Sequence, residues 1–230
     1  MANFLRMLFG VALLPACFGM AGALCRALTG VGGQLRVEAF ALLGGIAAFV
    51  LCWTLLSHPV KTYVFGHEMT HALWGIIFGA RPTKLRVGER GGSVTLTKSN
   101  MLITLAPYFF PFYTFVVILA AVVTGLFVRP LPVLPVWVFL VGFTWAFHVL
   151  FTLQTLTERQ PDVALYGRIF SWTFIFIMNV ALVMTWLAAT TELGFGAACA
   201  YVASCVVGAY VWTWERCVDV AALFWNRQDT

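Results

Sequence analysis

The sequence predicts an all-α polytopic membrane protein of about seven transmembrane helices, with a β-hairpin between the third and fourth. Three observations carry this. Hydrophobic residues make up 61% of the chain and charged residues only 10%, where a soluble domain is about half apolar and a quarter charged. Apolar runs of about 18 residues or more, each able to cross the hydrocarbon core, recur along the length. One substantial polar insert breaks the series, and it alternates like a pair of strands rather than like a helix. No polar stretch is long enough for a separate soluble domain, so residues 1–230 read as a single membrane-embedded unit.

Taken in order, the expected spans are 7–25, 39–57, 59–80, 101–128, 132–154, 167–189 and 193–214. The first follows Arg6 and precedes Arg26, which favours a retained span over a cleaved signal peptide. In the insert, Leu85 and Val87 alternate with Lys84 and Arg86, Glu89 to Gly92 supply turn residues, and Val94 and Leu96 alternate with Ser93, Thr95 and Thr97. That pattern predicts a β-hairpin over 83–98 with one apolar face. Pro107 and Pro111 should kink the fourth span. Gly75 with Gly79, and the ridge Gly196, Ala200, Ser204 and Gly208, have the small-residue spacing of close helix packing.

Charge sets an orientation, because Lys and Arg are retained on the cytoplasmic side. With the hairpin inside, eleven of the fourteen basic residues fall on that side, leaving Arg6, Lys61 and Arg129 opposite. The expectation is a multi-pass protein of a prokaryotic cell (inner) membrane, N-terminus outside and C-terminus cytoplasmic. The net charge of +5 is spread over loops, which gives no footprint for nucleic acid. The six cysteines lie in or beside apolar runs without C-x-x-C spacing and read as small membrane-buried residues.

The chemistry lies in the third expected span. His67 and His71 are four apart, so on a helix their imidazoles stand on one face and can share a metal ion. Glu68 is about 100° round from His67, at the edge of that face, where a carboxylate can reach a water. This is the H-E-x-x-H zinc-hydrolase spacing, set among Val64, Phe65, Leu73, Trp74, Ile76 and Ile77. Ionisable groups inside a span are costly and default to function. From His71 to the inner end near Ala80 is about 13 Å of helix, which puts the metal below the membrane surface.

Zinc needs a third protein ligand, with the fourth position left for water. Asp162, beside Pro161 at the head of the sixth span, returns on the same side as the metal. Glu158 and the intramembrane His148 are the other candidates.

The apolar H-E-M-T-H-A-L-W-G helix, the run G-E-R-G-G-S-V-T-L-T-K and the stretch L-A-P-Y-F-F-P together resemble the M50 family of site-2-protease-like intramembrane zinc metallopeptidases. The resemblance covers 63–115 well and 158–180 loosely. The family's usual N-x-x-P-x-x-x-L-D-G is replaced here by Gln160, Pro161 and Asp162, with Gly167 after them. The resemblance implies one Zn²⁺ per chain held by His67, His71 and Asp162, with Glu68 as general base. It also implies hydrolysis of peptide bonds in or near transmembrane segments of a membrane-protein substrate within the lipid bilayer. The edge Val94, Thr95, Leu96 and Thr97 could pair with an unwound substrate, and Asn179 could hydrogen-bond it. Glu158 and Asp162 form an E-x-x-x-D that resembles instead the M48-type, Ste24-like membrane metallopeptidases, where the Glu is the ligand. A non-catalytic zinc-binding membrane scaffold is the further alternative.

Overall fold

The computed structural model of the protein describes residues 2–31, 37–88, 91–128 and 134–226. Among them the chain is mostly helical: α1 (Ala2–Ala12), α2 (Leu14–Val31), α3 (Val37–Leu55), α4 (Val60–Ile77), then strands β1 (Pro82–Gly88) and β2 (Gly91–Leu96). There follow α5 (Met101–Leu105) with a 3₁₀ turn at Ala106–Tyr108, α6 (Phe112–Phe127), α7 (Leu134–Thr157), α8 (Pro161–Tyr166), α9 (Arg168–Thr190) and α10 (Gly194–Asn226). The expected turn residues Glu89 and Arg90, the charges Arg36, Arg129 and Arg227, and the start of the fifth expected span lie outside the described residues.

Among the described residues, five stretches are long and apolar enough to cross a membrane: Phe4–Gly30, Val37–Leu55, Leu134–Thr157, Arg168–Thr190 and Gly194–Leu223. A sixth is added if Met101–Tyr108 and Phe112–Phe127, bent by 82°, count as one. This is fewer than the seven expected from sequence. α4 is absent from the set because Lys61, His67, Glu68 and His71 dilute its apolar content. The fourth expected span is broken rather than kinked. Pro107 sits in the 3₁₀ turn and Pro111 caps α6, and each removes a donor that a continuous helix would need. The tail, expected to leave the last span near 214, stays helical to Asn226.

The chain divides into two compact units, Met1–Gln34 with Tyr166–Thr230, and Leu35–Leu165. In the first, Met20, Ala23 and Ala27 of α2 pack on Val180, Met184, Leu187 and Ala188 of α9 and on Ala198 of α10. Gly19 admits the backbone of α10 at Val206, and Gly10 admits that of α9 at Phe170. Gly196 and Gly208, by contrast, have open space where a side chain would be. Among the described residues the expected ridge on α10 is not a packing seam within the chain. No disulfide joins the six cysteines.

In the second unit α3 and α7 meet backbone to backbone. Gly45 faces the Phe139 carbonyl, and Gly142 faces the Leu42 carbonyl. Phe49, Ala146, Phe147 and Phe151 fill the core below that contact. Rings then lead toward α4: Trp53 meets Phe151 edge-on at 4.8 Å, and Phe151 stacks on Tyr63 at 4.7 Å. α4 ends at a paired cap in which Gly79 N–H donates to Ile76 O and Ala80 N–H to Gly75 O. Gly79 has φ +73°, which explains glycine at that position. Gly79 therefore serves as a helix stop, and Gly75 faces Leu96 of β2 rather than another helix.

The two strands pair antiparallel, Pro82 with Leu96 and Arg86 with Ser93. Between those pairs Lys84 and Leu85 stand opposite Val94 alone, a bulge in which Lys84 takes φ 44°. The expected single apolar face is lost through this bulge: Leu85 and Val87 are exposed, whereas Val94 and Leu96 are half-buried.

A candidate metal centre

α4 is amphipathic in an inverted sense. Phe65, Leu73, Ile76 and Ile77 are exposed, while Gly66, Glu68 and Thr70 are buried. The polar side faces inward, so His67, Glu68 and His71 look onto a cavity of about 740 Å³. α4 supplies its floor and β2 one wall through Gly92, Val94 and Leu96. The end of α7 and the start of α8 supply the other wall, through Gln154, Thr155, Glu158 and Asp162.

His67, His71 and Asp162 converge, with one ligand atom from each inside a 4.8 Å spread. Asp162 Oδ2 lies 3.6 Å from His67 Nε2 and 3.4 Å from His71 Nε2. These separations are long for hydrogen bonds. The shorter one matches the edge of a tetrahedron whose centre is about 2.0–2.1 Å from each donor atom, about 3.3–3.4 Å, and the longer one lies just beyond it. Two imidazole nitrogens and one carboxylate oxygen are also a donor set that suits zinc.

Each of the three side chains has a partner behind it. His71 Nδ1–H donates to the Ile103 carbonyl at 2.9 Å, which leaves Nε2 as the lone-pair nitrogen facing Asp162. His67 Nδ1 is 3.4 Å from the Tyr63 hydroxyl, which also contacts Thr155. The Tyr108 hydroxyl points at Asp162 Oδ2 from 3.4 Å. Burial opposes charge on Asp162, but the facing His67 and His71 outweigh it and hold the carboxyl well below its ordinary range. It is therefore ionised at neutral pH, the form a metal requires.

Glu68 is 7% exposed and stands beside the cluster without joining it. Its carboxylate faces the backbone N–H of Val94 on β2. β2 thus lies against this buried acid, which stands outside the cluster.

The other residues singled out by sequence fall differently. Glu158 lines the same cavity but is exposed, 3.4 Å from the Gln160 amide, and lies outside the cluster. His148 is buried on α7 and lines a smaller cavity behind His67. Val94 and Leu96 line the main cavity, whereas Thr95 and Thr97 are occupied in the hairpin: Thr95 O accepts from Thr83, and Thr97 Oγ1 accepts from Arg81 N–H. Asn179 belongs to the other unit, where its amide donates to Ile175 O.

Sequence reasoning did not single out Tyr63, Ile103, Tyr108 or Gly92 for the site. Tyr63 was within reach, because it precedes His67 by four residues on the same helix face. A backbone carbonyl such as that of Ile103 leaves no residue signal. No protein-family model, curated protein or solved structure matches the chain.

Proposed function

We propose that the protein is a zinc-dependent endopeptidase of the M50, site-2-protease-like kind, acting on peptide bonds in or near transmembrane segments. The observation that carries this reading is the pairing of three converging ligands with an open cavity, since a catalytic site keeps a coordination position free where a structural one closes it. Bound by His67, His71 and Asp162, a zinc ion would supply the Lewis acidity that makes water a nucleophile near neutral pH. Glu68, beside Val94 at the cavity wall, takes the proton from the attacking water. It then returns that proton to the leaving amine as the peptide bond breaks.

The surroundings support a membrane substrate. The cavity belongs to a unit whose outer surface is apolar, with Phe65, Ile76, Leu119 and Leu126 exposed. We infer that α4 crosses the bilayer as well, its polar face turned inward, with the N-terminus outside and the C-terminus cytoplasmic. An M48-type arrangement is less well supported, because Glu158 stands outside the ligand cluster.

Metal analysis of the purified protein beside a Glu68→Gln variant tests the reading. The variant should keep one zinc and lose cleavage of a transmembrane reporter by about 100-fold or more. Unchanged cleavage removes Glu68 as base. Wild-type protein that binds zinc but never cleaves would leave the scaffold reading standing.

A further inference from the structure

We propose that Tyr108 is the positioning residue of the metal centre: its phenol holds Asp162 in place, and the bent segment Met101–Tyr108 is built to deliver it. The inference rests on the metal-site reading above.

The three ligands are not equally held. His67 and His71 are carried by an 18-residue helix and are 11% and 12% exposed. Asp162 rides on the first turn of a six-residue helix and is 30% exposed. The ligand with the least support is the one that Tyr108 touches. Its hydroxyl faces the same Oδ2 that faces both imidazoles, and its ring stands edge-on to His67 at 5.3 Å. The contact of 3.4 Å closes to a full hydrogen bond if the carboxylate shifts by about 0.6 Å.

Tyr108 is completely buried and is not part of the cavity lining, so it acts from behind the ligands rather than on a substrate. A hydroxyl in such a place is costly unless it meets an acceptor, and Asp162 Oδ2 is one that it faces. The same segment also supplies the Ile103 carbonyl to His71. The break at Phe109 to Pro111 thus has a use. It turns Met101–Tyr108 by 82° from α6, and this one short piece contacts all three ligands.

The test is zinc affinity of the full chain in detergent, by chelator competition, for wild type, Tyr108→Phe and Tyr108→Leu. Tyr108→Phe should bind zinc about 10- to 100-fold more weakly and shift the visible bands of the Co²⁺-loaded protein. The thermal midpoint of its metal-free form should stay unchanged, whereas Tyr108→Leu should lower that midpoint by leaving a void. In an Asp162→Ala background the Phe substitution should add less than about twofold, because its partner is gone. Wild-type affinity and an unchanged Co²⁺ spectrum in Tyr108→Phe would overturn the proposal. Wild-type protein that binds no metal would instead sink the metal-site reading, and this inference with it.

Discussion

Gly92 leaves no room for a side chain against Glu68: a Cβ placed on it would meet Glu68 Cγ at 2.8 Å and Val64 Cγ1 at 2.6 Å. The hairpin is therefore seated on α4 at the acid itself. Two residues along the same strand, the N–H of Val94 faces that acid. Substituting Gly92→Ala should push β2 off this seat and release Glu68 while leaving His67, His71 and Asp162 in place. Zinc content should stay at one per chain and reporter cleavage should fall by about tenfold or more. Zinc analysis and cleavage on the same preparation check it, and wild-type cleavage would show that the strand does not hold the acid.

The third ligand is decided by comparing Asp162→Ala, Glu158→Ala and His148→Ala. Removing a true ligand leaves two imidazoles, and zinc affinity should fall by about 100-fold or more. Glu158, exposed and outside the cluster, should be dispensable for binding, as should His148. Chelator competition on the three variants reads this directly. Zinc retained by Asp162→Ala would break the assignment.

The contact between α3 and α7 makes a prediction about stability alone. Gly142 lies against the Leu42 carbonyl and Gly45 against the Phe139 carbonyl, so a methyl at either position must force the two helices apart. Gly142→Ala and Gly45→Ala should each cost about 1–3 kcal/mol, as overpacking does. Thermal unfolding in detergent should show it. Alanine at Gly208, where nothing lies within 4 Å, should leave the midpoint unchanged.

Those glycines also show where the sequence was legible and where it was not. Composition and apolar length gave the class, and helical spacing brought His67 and His71 to one face, because both depend only on local chemistry. Asp162 was reachable through the position of Pro161 at a helix start. The pairing of Gly45 with Phe139 and of Gly142 with Leu42 was not, since an apolar helix rich in small residues offers several faces with the same spacing, and the neighbour decides which is used. The ridge at Gly196 and Gly208 had equal spacing and no neighbour among the described residues. Lys84 illustrates the same limit in a strand: a single residue at φ 44° removes the apolar face that alternation predicts.

Membrane crossing offers the last prediction. Among the described residues five or six helical stretches qualify by length and apolarity, and α4 does not, because it carries Lys61, His67, Glu68 and His71. If α4 nevertheless crosses, with that polar face turned to the cavity and Phe65, Leu73, Ile76 and Ile77 turned outward, the bent pair counting as one span brings the total to seven. An odd number puts the two ends on opposite sides. An even number puts them together. Reporters fused to each terminus should read outside at the N-terminus and cytoplasmic at the C-terminus. Cysteine labelling of exposed hairpin positions such as Thr95 should report the cytoplasmic side. Both termini on one side would take α4, or the broken pair, out of the set of spans and place the metal centre nearer a membrane surface than its midplane.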